Sequence, residues 1–301
     1  YSNSPPASQY LFRFAAFFSQ HHLLDGVVIL RLIYFFGELF LFFFGISFLK
    51  KLSVDPLNIA WYFLNPLVII EGIGNLHGES LMCCFMLISL FFLIQKRGVI
   101  GGLFMGIGVA IKLLPLLIIP IFYNYLGWRK FSLFCLGIGL SSVILWVSFW
   151  EGNMASHYKD TIDLWFTTFE FNGSLYNILK AIGYELKGYN IIRKLGQVTP
   201  FIVIVLVGIF TFIRSNRTAE SLIKSILFSL SCYFFISTTV HPWYIINLLF
   251  FGILSGYAYP LVWSLTVFWS YSEYGNSGFE VNTTIQFFEY LLVYGVLFYE
   301  L

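Results

Sequence analysis

The chain has 301 residues, of which 58% are hydrophobic, 21% aromatic and only 11% charged. A soluble domain carries about a quarter charged residues, so this balance, with a mean hydropathy of +0.81, excludes an ordinary soluble protein. The net charge of +2 lacks the density of a nucleic-acid binder, and apolar runs that are continuous rather than alternating exclude a β-barrel. What remains is an all-α, multi-pass transmembrane helical protein.

The stretch from Tyr1 to Tyr10, with Pro5-Pro6 at its centre, reads as an extended aromatic approach to the membrane. It has no initiator methionine and no signal peptide, and the chain stops at Leu301 straight after an apolar run. The expectation is that both ends are cut and that parts of the working protein lie beyond them. Spans need about 20 apolar residues. On that measure the candidates are 27–49, 57–73, 80–95, 99–112, 113–126, 131–150, 200–213, 220–240, 243–257, 258–271 and 285–301. These make about 11 spans in a single integral membrane domain, 1–301. Arg31 and Glu38, seven apart on one face of the first span, are expected to compensate each other or neighbouring groups.

The next segment is the most informative. Asn65-Pro66 interrupts an apolar run, which then opens into Glu71-Gly-Ile-Gly-Asn75-Leu-His77-Gly-Glu79 before apolar residues resume at Leu81. A carboxylate can bind sugar hydroxyls or accept a proton, and a nearby histidine can orient it or meet a phosphate. A solvated turn with an incidental His-Glu pair is the bland alternative. Lys112, in Ala110-Ile-Lys112-Leu-Leu-Pro115, is costly among apolar neighbours; it either marks a function, pairs with an acid or snorkels to the interface. Beside a proline-broken helix end it can hold a lipid phosphate as a point charge.

Basic pairs decide the orientation. Lys50-Lys51, Lys96-Arg97, Arg129-Lys130 and Arg214 with Arg217 all fall on one side, the cytoplasmic one, if the run 99–126 is split near Lys112. Lys187, Arg193 and Lys194 dissent from within a long loop. His21, His22, His77, His157 and His241 then share the external face with Glu79 and Lys112. The external loop layer comprises mainly 1–26, 74–80, 150–199 and 272–284. Asn172-Gly-Ser174 and Asn282-Thr-Thr284 match the glycosylation acceptor pattern, which is too common to carry weight. His241-Pro-Trp-Tyr244 opens the span at 243; an aromatic belt behind a first-turn proline explains all but His241. Cys83, Cys84, Cys135 and Cys232 sit inside apolar runs, as core residues rather than metal ligands. With no Gly-rich phosphate loop, zinc spacing or nucleophile elbow, no cofactor and no metal are expected.

The Asn65-Pro…Glu71-Gly-Ile-Gly-Asn75…His77…Glu79 pattern resembles the corresponding turn of bacterial polyprenol-phosphate-mannose-dependent mannosyltransferases of the GT-C superfamily. Lys112-Leu-Leu-Pro115, His241-Pro-Trp-Tyr244 and the Tyr1-to-Pro6 opening are similar to that family's Lys-x-x-Pro, His-Pro-Trp-Tyr and Tyr-x-x-x-Pro-Pro elements, in the same order. Glu79 stands where the family often has Asp. The resemblance implies a GT-C-like fold and inverting transfer of a hexose, mannose first, from a polyprenyl-phosphate sugar donor. The acceptor is a glycan or glycolipid on the external face of the bacterial inner membrane. It also implies a general base in a loop preceding Tyr1, so the catalytic residue is not assigned here. Lys112 and His241 are expected at the donor phosphate, and Glu71, Asn75, His77, Glu79, Trp243 and Tyr244 at the sugar or acceptor. The partners are then the lipid donor, the acceptor and membrane lipid, with no nucleic acid. A non-catalytic GT-C-like subunit of a glycolipid-processing complex is the alternative. A secondary transporter ranks behind it, because the polar residues gather at one face and no internal repeat is seen.

Overall fold

The structure is a computed structural model that describes residues 4–20, 22–150, 156–157, 159–161, 167–275, 278–279 and 282–301. His21, Tyr1 and parts of the 150–199 and 272–284 loops fall outside the described residues. The helices are α1 (Pro6–Phe18), α2 (Leu23–Lys51), α3 (Ile59–Phe63), α4 (Glu79–Ile94), α5 (Gly98–Ile111), α6 (Phe122–Leu126), α7 (Trp128–Trp146), α8 (Ser174–Lys187), α9 (Ile192–Gly208), α10 (Ala219–Ile236), α11 (Ile245–Ser255), α12 (Tyr259–Thr266) and α13 (Thr283–Glu300). The described strands are two residues each, Tyr274–Gly275 antiparallel to Gly278–Phe279. The chain is therefore helical almost throughout, as the composition requires.

Among the described residues, four helical segments, Leu23–Lys51, Trp128–Phe149, Ile192–Ile213 and Ala219–Ile236, are long and apolar enough to cross a membrane, and a fifth is counted if the bent pair Pro56–Phe63 and Val68–Gly74 is one span. The expectation of about eleven is not met by that criterion. The breaks fall close to where the sequence placed them, but the pieces are short: α5 has 14 residues, about 21 Å at 1.5 Å per residue, against a hydrocarbon core of about 30 Å.

Consecutive runs nevertheless alternate between two ends of the bundle. α2 ends on Lys50 and Lys51, and Lys51 lies over Phe91, near the close of α4. Lys96, just past α4, donates to the carbonyl of Tyr125 and lies over its ring, so the chain leaves along α5 and returns through 114–126. The turnaround is at Lys112, where the backbone is extended (φ −146°, ψ 142°) and Pro115 prevents α5 from continuing. Asn124 donates to Thr211, which brings the end of α9's run to the same place. α5 and α7 pack through glycines: a Cβ on Gly102 would lie 2.1 Å from the Phe134 carbonyl, and one on Gly137 2.2 Å from that of Val99. Such contact is the close approach that small residues allow in membranes. α10 begins with a Thr218–Ser221 capping box. α12 and α13 run antiparallel, tied by Trp263 Nε1 to Glu289 (3.0 Å) and by the Glu300 carboxylate accepting from the Ala258 and Tyr259 backbone.

Candidate functional site

Asn65 and Pro66 set the first wall. Asn65 caps Leu67 N with its side-chain oxygen and donates to Ser264, and the axis turns by 63° between Pro56–Phe63 and Val68–Gly74. The second piece is a π-helix, the wide form that recurs at functional sites. Arg31 of α2 reaches its end, donating through Nε and Nη2 to the Gly74 carbonyl at 3.2 and 2.9 Å. Arg31 and Glu38 thus do not compensate each other. Glu38 is 1% exposed and turned inward, toward the hydroxyls of Ser80 and Tyr62.

Glu71, buried in the π-helix, accepts from Asn75 Nδ2 (3.1 Å) and from Tyr271 (2.7 Å). His77 Nε2 lies 3.5 Å from the same carboxylate, and the His77 backbone N–H bonds the Glu71 carbonyl. Leu76, with φ +61°, folds the chain back so that this is possible. The His77 ring stacks on Trp243 at 3.8 Å and 14°, and Trp243 stacks in turn on His241 at 4.3 Å and 12°. Burial, then the Lys112 charge, lower the His77 pKa to about 4 against the pull of Glu71. At neutral pH its contact with Glu71 is therefore not an ion pair. His241 is likewise lowered to about 4, by burial first and then by His77 and Lys112.

Glu79 opens α4 behind Gly78, where the helix N-terminus favours a carboxylate. It is 2% exposed, and Oε1 meets Lys112 Nζ at 3.0 Å. Among the alternatives left open for Lys112, the acid-paired one is what the structure contains. Lys112, Glu79, Tyr244 and Asn247 form the polar end of a cavity of about 480 Å³. Its other lining residues are Tyr233 and the apolar Met82, Leu113, Leu114, Leu117, Phe234 and, from α9, Pro200, Val203 and Ile204. Ile204 is 67% exposed on the outer surface. Thus Glu71, Asn75, His77, Trp243 and His241 form one connected group, and Glu79, Lys112 and Tyr244 line the cavity beside it. The Tyr244 ring meets His241 edge-on at 5.5 Å, which joins the two.

Sequence reasoning missed Phe169–Asn172. Phe171 pairs with Thr239 as an isolated parallel bridge, and its ring stacks on His241 at 4.8 Å. Facing the other way, Glu170 binds Lys180 (2.6 Å), Asn190 (3.2 Å) and Tyr176. Burial would raise the Glu170 carboxyl, but these bonds and the Lys180 charge outweigh it and hold the pKa below the usual range. The alternation Phe-Glu-Phe-Asn was the available signal, a strand-like pattern inside a helical chain.

A polar group thus lies at one end of the helical bundle, beside a largely apolar cavity. Residues 4–127 match the family described as alpha-(1->6)-mannopyranosyltransferase, N-terminal domain, which takes in Glu71 through Lys112 and stops before His241. The chain is also similar to GPI mannosyltransferase 1 of Debaryomyces hansenii, 30% identical over 169 residues, 54% of this chain and 34% of that protein. It is 37% identical over 90 residues to GPI mannosyltransferase 1 of Saccharomyces cerevisiae, 27% of this chain and 22% of that protein. The matched regions span about a third or less of these relatives' length. Over these stretches the chain is similar to mannosyltransferases, and its long apolar helices are those of an integral membrane protein.

Proposed function

We propose that the chain is the membrane portion of an inverting glycosyltransferase. It moves a hexose, mannose first, from a polyprenyl-phosphate sugar to a hydroxyl of a glycan or glycolipid on the non-cytoplasmic face. The observation that carries this reading is the cavity of about 480 Å³ with Lys112 at its polar end and apolar walls reaching the lipid-facing surface at Ile204. A lipid-linked donor needs both halves: hydrocarbon walls for its first isoprene units and a cation at its phosphate. A nucleotide sugar has no use for the first.

In this reading the acceptor oxygen attacks the anomeric carbon, and the bond from that carbon to the phosphate oxygen breaks. Polyprenyl phosphate leaves with the electron pair, and the acceptor proton passes to a base. Lys112 and His241 steady the phosphate. Lys112 keeps N–H groups for it because a carboxylate at 3.0 Å engages only part of the ammonium. Glu71, Asn75 and His77 hold the sugar or acceptor, with Glu79, Trp243 and Tyr244 shaping the remaining wall. The resemblance assigns the general base to an acid preceding Tyr1, and the proposal keeps it there. A single domain of about eleven passes, its external loops at the site end and the bacterial cell membrane as its location belong to the same proposal. It is supported by the alternation of helical runs and by the basic residues collecting opposite the site.

The test is a transfer assay with full-length protein and radiolabelled polyprenyl-phosphate mannose. Label entering a glycan or glycolipid supports the reading. Transfer from a nucleotide sugar, with none from the lipid donor, overturns it.

A further inference from the structure

The imidazole of His241 is an inner ring of a continuous stack of four. Phe171, His241, Trp243 and His77 follow one another at 4.8, 4.3 and 3.8 Å with interplanar angles of 29°, 12° and 14°. One end of the column is fixed by the turn that carries His77. At the other end Phe171 also packs on the Tyr274 ring at 5.4 Å, and hydrogen bonds fix where Phe171 stands.

Three sets of contacts hold it. Phe171 N–H donates to the Thr238 carbonyl (3.0 Å) and Val240 N–H to that of Phe171 (2.8 Å), while the Thr239 hydroxyl donates to Phe169 (3.1 Å). These bonds tie the segment to the strand leading into His241 but leave both free to shift together. The anchor to the rest of the bundle is Asn172. Its Nδ2 donates to Glu289 Oε1 (3.0 Å), its Oδ1 accepts from Gln286 (3.1 Å), and its carbonyl accepts from Tyr290 (2.5 Å), all on α13. Glu289 is 0% exposed and also accepts from Trp263 of α12. Asn172 has φ +47°, a left-handed conformation that asparagine tolerates better than other side chains. Beside it, a Cβ on Gly173 would lie 2.9 Å from the Tyr176 ring and 3.1 Å from the Ser237 carbonyl. Residue 172 must be short, tolerant of positive φ, and both donor and acceptor. Asparagine meets all three demands.

We infer that Asn172 is a positioning residue for His241: it clamps Phe171 to α13, and Phe171 backs the imidazole, whose ring meets the cavity-lining Tyr244. The inference also reassigns Asn172-Gly-Ser174. The amide nitrogen that would carry a glycan is the one bonded to buried Glu289, in a residue 2% exposed, so in the folded protein the motif is an internal clamp.

The test reads His241 itself, so it does not depend on transfer activity. Detergent-solubilised protein is treated with diethyl pyrocarbonate near pH 7, and modification of His241 is timed by peptide mass spectrometry against exposed His22. Asn172→Asp keeps the shape and replaces the donor facing Glu289 with an oxygen. Losing that hydrogen bond should speed His241 modification about fivefold or more. Because Trp263 donates to the same Glu289 oxygen, the exchange is made in a Trp263→Phe background: there Asn172→Asp with Glu289→Gln swaps donor and acceptor and should return the rate to within about twofold of that background, which a merely volumetric role would not predict. Should Asn172→Asp fail to fold, Phe171→Leu and Gln286→Met probe the same clamp and should each raise the rate. Parental His241 rates in the folded Asn172→Asp protein, or in both fallback variants, overturn the assignment, as does failure of the exchanged pair to restore it. The functional reading proposed above can fail in the transfer assay while these rates still come out as stated.

Discussion

Replacing Lys112 with methionine keeps the apolar stem and removes only the charge. The structure ties that charge to Glu79 at 3.0 Å, so the substitution strands a carboxylate that is 2% exposed and whose Oε2 has no hydrogen-bond partner among the described residues. Two unit charges at that separation attract by about 1.4 kcal/mol in water and about 5.5 kcal/mol at an effective dielectric of 20. The lysine side chain is 34% exposed, so solvent screens the pair from one side, and about 2 kcal/mol is the value to expect. At roughly 2 °C per kcal/mol for a chain of this size, the melting midpoint in detergent should fall by about 4 °C. Glu79→Gln in the Lys112→Met background should recover most of that loss, because no stranded charge remains. Donor affinity should stay low in both, since neither retains the phosphate's cation. Scanning fluorimetry and labelled-donor binding on the four proteins measure the two effects. The reasoning fails if Lys112→Met melts with the parent, or if Glu79→Gln shifts the midpoint equally in both backgrounds.

His77 and His241 each have a folded pKa of about 4 against about 6.5 unfolded. As pH falls through 6.5 the unfolded chain takes up these protons first, so stability should drop between pH 6.5 and 4 and level off below; melting curves of the parent and of His77→Gln/His241→Gln, which should be flatter, measure it. His77→Ala should cost on the order of a hundredfold in transfer, as lost transition-state contacts do, with the helical circular dichroism unchanged; parental turnover would leave the turn a connector. Cysteines placed at 77 and 157 should react with an impermeant maleimide from one side of the membrane and those at 96 and 129 only from the other. Labelling of 129 together with 77 would refute the end-to-end alternation.

The bundle was legible because its driving force is one-dimensional: apolar runs and their polar breaks set where helices begin and stop. The reversal at Lys112 could be read from charge sorting alone. Where the chain makes contacts distant in sequence, the sequence was silent. Glu79 finds Lys112 across the α4–α5 pair, and Glu71 finds Tyr271 two hundred positions on. The spacing that put Arg31 and Glu38 on one face said nothing of the Gly74 carbonyl that Arg31 reaches. Phe169–Asn172 escaped because its partners lie at 238–240 and on α13, and four residues are too few for a periodicity to stand out.

The π-helix at Val68–Gly74 has a consequence for how this stretch can vary. A π turn holds one residue more than an α turn, and each residue of an ordinary helix advances the chain by about 100°. Substitutions at its lipid-facing positions leave the phase of Glu71 untouched. Deleting one residue between Val68 and Ile70 would let the turn relax to α with its phase nearly kept, whereas inserting one there would rotate the carboxylate by about 100°, away from Tyr271 and His77. The site is therefore more sensitive to an insertion in this segment than to most of its spelling.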